Sequence, residues 1–194
     1  MYRRILILQG HPDPDAARLG RALADAYAYG AMSAGHDIRR IDVAQLDIPF
    51  LRGQDDFEAG RPGPALAEAQ AALAWAEHVV VFFPLWLGDM PAKLKAFFEQ
   101  VLRPGFAFAY RDKGFPEKRL SGRTGRVVIT MGMPALAYRW FYCGHGLRLL
   151  KRNILGFVGI APVADTLYGS VANASAEQRQ LWIEDMKQAG ARAA

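Results

Sequence analysis

The chain alternates between two hydrophobic rhythms: short runs of branched residues about a strand in length, and longer stretches in which apolar side chains return every third or fourth position. Arg4–Leu8 (RILIL), closed by Gly10 and Pro12, predicts a buried strand. Ala16–Ala34, rich in Ala and Leu and stopped by Gly35, predicts the helix that follows. Asp37–Val43 (DIRRIDV) predicts a second strand. Leu46–Gly63, punctuated by Pro, Gly and acidic residues, reads as a loop, with Pro64 opening a helix to Glu77. His78–Phe83 is almost wholly apolar and branched, the pattern of a central strand covered on both faces. Leu94, Phe97, Phe98, Val101 and Leu102 then share one helical face, while Lys95 and Glu99 pair across a turn on the solvent side. Arg103–Gly125 is long and irregular, which in a compact domain marks a functional loop or an interface excursion. Arg126–Thr130 and Val163–Tyr168 predict the fourth and fifth strands, with helices over Leu147–Leu155 and Ala176–Gly190.

Strands and helices alternate along residues 1–194 without an internal repeat, which predicts a single α/β domain: a doubly wound, five-stranded parallel sheet with helices on both faces. In such sheets ligands bind beyond the carboxyl ends of the strands. The segments leaving the first, third and fourth strands, Gly10–Asp15, Pro84–Pro91 and Met131–Pro134, are therefore where chemistry is expected.

Composition narrows the class. The hydrophobic share of 52% and charged share of 22% are those of a globular protein, and no stretch is apolar enough to span a bilayer. The single cysteine, Cys143, allows no internal disulfide and points to a reducing, cytoplasmic setting. A net charge of +5 and a pI near 9.5 suit an anionic partner, whether nucleic acid, a phosphate-bearing cofactor or an acidic membrane surface. The basic residues, Arg148, Lys151 and Arg152 among them, are scattered, and no helix-turn-helix or aromatic RNA-binding signature accompanies them. Nucleic acid is therefore not expected, and an arginine-rich proteome accounts for the charge better than an anionic partner does.

The first loop, GHPDPDAARLG, delivers a strand to the start of a helix, where free N–H groups and the helix dipole favour a phosphate. It is neither GxGxxG nor GxxxxGK, so the common dinucleotide and P-loop readings fail. His11 either contacts that phosphate or caps its own turn. The second loop, PLWLGDMP, sets large apolar residues in a turn where polar ones are usual. Leu85, Trp86 and Leu87 there suit a flat aromatic ligand, unless Trp86 packs on the protein itself. In the third loop Gly132 lets the backbone approach a ligand closely. A flat ring with a phosphate tail is a flavin nucleotide.

The motifs ILILQGHPDPD, FPLWLGDMPAKLKAFFEQVLRPGFAF, VVITMGMPALAYRWFYCGHG and ILGFVGIAPV together resemble the flavodoxin-like NAD(P)H:quinone oxidoreductases over nearly the whole chain. The resemblance implies that His11 lies near the flavin phosphates and that Pro84, Leu85, Trp86 and Leu87 run along the isoalloxazine. It implies that Thr130, Met131, Gly132 and Met133 serve the ring's pyrimidine side, and that Tyr138 and His145 hold charge and protons on the reduced ring. Two positions depart from the family pattern. Ala17 and Gly20 stand where relatives carry a phosphate-binding serine and asparagine, leaving Arg18 to compensate by charge, and Leu87 stands where many carry an aromatic residue. The implied activity is two-electron transfer from NADH or NADPH, through FAD or FMN, to a quinone or similar flat acceptor, in a cytoplasmic homodimer. The resemblance also admits an ancillary subunit docked on a membrane-bound potassium efflux transporter. The two departures admit a relative that has lost its flavin.

Overall fold

The computed structural model of the chain describes residues 2–194. Five parallel strands, β1 (Arg4–Gln9), β2 (Asp37–Asp42), β3 (His78–Pro84), β6 (Thr124–Thr130) and β7 (Val163–Tyr168), form one sheet in the order β2-β1-β3-β6-β7. Crossovers run one way from β1 to β2 and the other way from β3 to β6, so the topology reverses between β1 and β3. That reversal opens a crevice at the strands' carboxyl ends.

Side chains of the central strands alternate between two cores. Ile5, Ile7, Val80, Phe82 and Val128 face α1 (Leu19–Ser33) and α7 (Ala176–Ala191). Leu6, Leu8, Val79, Val81, Val127 and Ile129 face α3 (Pro64–Trp75), α4 (Ala92–Val101) and the segment around Leu147–Val158. Each such fully buried aliphatic side chain contributes about 1.5–3 kcal/mol, which is why β1 and β3 read as unbroken apolar runs. α1 and α7 cross backbone to backbone. A Cβ on Gly30 would collide with the Lys187 carbonyl, and one on Gly190 with the Tyr27 carbonyl.

Several elements differ from the sequence reading, each for a local reason. α1 starts at Leu19 rather than Ala16, because Asp side chains and His11 capture the backbone first: His11 Nδ1 accepts from Asp13 N, Asp13 Oδ1 from Asp15 N, and Asp15 Oδ1 from Ala17 N. The Leu46–Gly63 stretch contains a short helix, α2 (Gln54–Ala59), anchored by the buried Arg103 guanidinium on the Asp56 carbonyl. α3 stops at Trp75, since Glu77 bonds back to Arg4 through both its N–H and its carboxylate. Arg103–Gly125 is not wholly irregular: β4 (Phe108–Ala109) and β5 (Glu117–Lys118) pair in an antiparallel hairpin, and β6 begins at Thr124. The predicted helix over Leu147–Leu155 is one turn of α-helix, α5 (His145–Arg148), continued by a wider π-helical stretch over Leu149–Leu155 and a last turn, α6 (Gly156–Val158). A second π-helical turn spans Ala137–Phe141.

Candidate active site

The three predicted loops meet at the crevice. They enclose a cleft of about 430 Å³ whose walls include His11, Arg18, Leu85, Trp86, Met131 and Gly132. Pro84 and Thr130 complete the predicted residues that line it; Met133, Leu87, Tyr138 and His145 do not.

At one end lies the start of α1. Gln9 closes β1 by accepting from the His11 N–H and donating to the Gly20 carbonyl at 3.0 Å, which ties the loop to the helix. His11 is nearly buried, and burial holds its pKa below the usual histidine value despite the neighbouring Asp13. Since Nδ1 accepts from Asp13 N, the proton of the neutral ring is assigned to Nε2, which is left as a donor. Arg18 reaches the rim, but its guanidinium is already paired with Asp13 and Asp15. Arg21 is likewise committed, to Asp42 and the Asp13 carbonyl. What remains open is backbone. Among the described residues the N–H groups of Leu19 and Gly20 have no partner, no side chain caps the helix, and nothing lies within 4 Å of where a Gly20 Cβ would stand. Uncapped N–H groups at the positive end of a fifteen-residue helix, fronted by empty space, fit a phosphate.

The second loop is a tight hairpin turn. Trp86 and Asp89 exchange both backbone hydrogen bonds, at 2.9 and 3.0 Å, while Leu87 (φ 49°) and Gly88 (φ 83°) both occupy left-handed conformations. Leu87 consequently stands at the tip, fully exposed and pointing away from the cleft wall expected of it. Trp86 packs on the protein, its ring edge-on to His11 with centroids 5.7 Å apart, while it also lines the cleft and 48% of the residue stays exposed. Leu85 N donates to the Thr130 carbonyl at 2.8 Å, locking the second loop to the third.

In the third loop the Met131 and Met133 carbonyls are used, and two of the amides are not. Met131 and Met133 accept from Val171 and Ser170, and Met131 N donates to the Tyr168 carbonyl. The Gly132 and Met133 N–H groups have no partner among the described residues, and a Cβ on Gly132 would meet nothing within 4 Å. These are donors of the kind a flavin's carbonyl edge accepts. Tyr138 is 1% exposed, and its hydroxyl accepts from Leu147 N at 3.0 Å. Burial raises its pKa. It positions the Gly144–Leu147 turn rather than facing the cleft. His145 rides on that turn, exposed, and the turn is seated on the second loop: a Cβ on Gly146 would strike the Gly88 carbonyl and Asp89. Sequence reading missed Gln9, whose polar end to an apolar strand was the available signal, and Val171, which carried none.

The reversal crevice defines a protein of the doubly wound α/β class, and the uncapped helix end and the indole wall beside it suit a nucleotide. The model of the Flavodoxin_2 family, described as a flavodoxin-like fold, matches residues 3–189, and the chain belongs to that family. Among curated relatives, the FMN-dependent NADH:quinone oxidoreductase of Nitratidesulfovibrio vulgaris (strain DP4) is 30% identical, with 81% of this chain and 85% of that one aligned. That of Shewanella amazonensis is 26% identical over 95% of both. Among solved structures, the NAD(P)H:quinone oxidoreductase from Methanothermobacter marburgensis superposes with a TM-score of 0.80 at 23% identity, covering 99% of this chain and 97% of that one. An FMN-dependent NADH-azoreductase from Bacillus anthracis in complex with FMN gives a TM-score of 0.77 at 17% identity over 98% of each chain.

Proposed function

We infer that this protein is an oxidoreductase that uses FMN to carry two electrons from NADH or NADPH to a quinone or a similar flat acceptor. The observation that supports this most directly is the pairing of two sets of free amides, Leu19 with Gly20 and Gly132 with Met133, in loops that border one cleft. One set suits a phosphate and the other a ring edge, which fits a mononucleotide with a flat base. FMN rather than FAD follows the relatives, which are named FMN-dependent. Those names also favour an enzyme over a transporter subunit.

Bound FMN would supply the hydride and electron chemistry. The chain's own part is to position it and balance its charge. Leu19 and Gly20 N–H, with His11 Nε2–H, take the phosphate. Asp13 and Asp15 keep Arg18 neutralised, so the phosphate is held by backbone more than by a side-chain cation. Pro84, Leu85 and Trp86 form the wall for the ring, and Gly132 and Met133 N–H steady its polar edge. His145, exposed on the turn that Tyr138 holds, would hold or pass a proton for the reduced ring.

A homodimer is part of the same reading. Leu136, Trp140, Phe141 and Tyr142 are large, exposed and follow the third loop, and Leu87 adds to this apolar rim, which a second copy would cover. The lone Cys143 suits the cytoplasm, and among the described residues no helix is long and apolar enough to cross a membrane. The test is direct: add FMN or FAD to the purified protein, record bound flavin by absorbance and by chromatography after release, then follow NADH and NADPH oxidation with a panel of quinones. FMN retention with quinone-dependent turnover is expected. Failure to bind either flavin, or bound FMN without turnover, overturns the assignment.

A further inference from the structure

A second cleft, of about 350 Å³, lies along the edge strand β7 and shares no lining residue with the flavin cleft. Arg139, Arg148, Lys151 and Arg152 line it, opposite a single carboxylate, Asp165. Arg148 and Arg152 project from successive turns of the helical segment that starts at His145, and Asp165 projects from the middle of β7. The one carboxylate is spent inside the protein: it accepts from Arg139 Nη2 at 2.6 Å and from Lys151 Nζ. Burial works against its ionisation, but these two cations more than offset that and keep it charged. Arg148 and Arg152 have no carboxylate partner among the described residues.

Four cations against one anion around a concave surface leave a charge of three to be balanced from outside. Nothing in the flavin chemistry uses them. The walls are not purely polar, since Leu147 and Leu167 contribute apolar surface. We propose that this cleft is a separate binding site for a small phosphate ester, with Arg148 and Arg152 gripping the phosphate and Leu147 and Leu167 contacting its organic body. Size argues against a whole dinucleotide, because the cleft stands near the lower end of the roughly 300–1,000 Å³ of small-molecule sites. Arginine suits the role because its planar fork meets two phosphate oxygens at once.

The shared chemistry is a phosphate monoester, which comes either as a free metabolite or as the 2′-phosphate of a nucleotide. Calorimetric titration of the protein with inorganic phosphate, glucose 6-phosphate and adenosine 2′-phosphate, at constant ionic strength, separates these. Each titration is run on the protein as purified and on FMN-loaded protein freed of excess FMN, itself a phosphate monoester, so that failure of flavin binding does not obscure the result. Saturable binding of at least one ester, tighter than inorganic phosphate and retained in the FMN-loaded protein, is expected. The sugar phosphate binding more tightly indicates a free metabolite, and the nucleotide a cofactor tail. The double variant Arg148→Gln, Arg152→Gln, both at exposed positions, should lose about tenfold or more in ester affinity while keeping its FMN content. Inorganic phosphate binding as tightly as both esters, no saturable binding of any probe, or unchanged ester affinity in the double variant would overturn the proposal.

Discussion

Substituting Leu87 with Asn separates stability from function at one position. Leu87 holds φ at 49° as the first of two left-handed residues in the Trp86–Asp89 turn, and it is fully exposed, so its side chain makes no packing contribution within the subunit. An ordinary L-residue in this conformation costs roughly 1–2 kcal/mol, a strain that Asn largely avoids through its own local hydrogen bonding. Leu87→Asn should therefore stabilise the isolated subunit by about 1 kcal/mol, or about 2–4 °C in Tm for a chain of this size. Yet the chain keeps a leucine there. If that side chain is buried only against the acceptor or a second subunit, its loss forfeits most of the roughly 1.5–3 kcal/mol that burial would supply. The quinone KM should then rise about tenfold or more, or the dimer should dissociate at correspondingly lower dilution. Thermal unfolding of the FMN-loaded variant, quinone kinetics and light scattering across a dilution series read the outcomes. A lower Tm at a dilution where both wild type and variant are monomeric would refute the strain argument. A higher Tm with unchanged KM and unchanged dimerisation would refute the idea that strain is retained for contact.

The remaining expectations concern other parts of the site and its support. His78 is buried and neutral, its Nδ1 on Thr124 Oγ1, and burial, with Arg3, Arg126 and His36 nearby, pushes its pKa from 6.5 down to about 4. The unfolded chain therefore takes up this proton first, and stability falls as pH drops from about 6.5, the loss approaching about 3 kcal/mol by pH 4. Urea unfolding should show a shallower pH dependence for His78→Gln than for the wild type, and parallel profiles would exclude His78 as the cause. Tyr138→Phe strands the buried Leu147 N–H, costing about 1–3 kcal/mol, and should slow flavin reduction by releasing the turn that carries His145. His145→Gln should slow reduction in stopped flow without lowering Tm, and equal rates in both variants and the wild type would remove this turn from the mechanism. Trp86→Ala should lower FMN retention in gel filtration with little change in Tm, because half of the residue is already exposed; undiminished FMN content would leave Trp86 a partner of His11 alone.

The sheet was legible because β1, β3 and β6 are buried on both faces, and a strand in that position has few sequences open to it besides an apolar branched run. The three loops followed from the alternation of elements, and one cleft is lined by residues of all three. Local competition was harder to read. Ala16, Ala17 and Arg18 favour helix by propensity, yet Asp13 Oδ1 takes the Asp15 N–H and Asp15 Oδ1 the Ala17 N–H, and the turn wins. Arg18 read as a free cation because pattern gives a charge and not its neighbour; Asp13 and Asp15 had already claimed it. Tyr138 and Leu87 were misplaced for a related reason. A spacing locates a residue on a loop, whereas the direction of its side chain depends on a π-helical turn in one case and two positive φ angles in the other.

The backbone contacts of Gly30 with Lys187 and of Gly190 with Tyr27 tie the order of synthesis to the shaping of the cleft. α1, whose first amides face the cleft, has its outer surface completed only when α7 lays its backbone against it, and α7 comes from the far end of the sequence. A nascent chain that has made all three crevice loops thus still lacks the helix that fixes one of them. The amides at the start of α1 are expected to reach their final place only after α7 has been made and packed, so flavin loading should follow the docking of α7 rather than precede it.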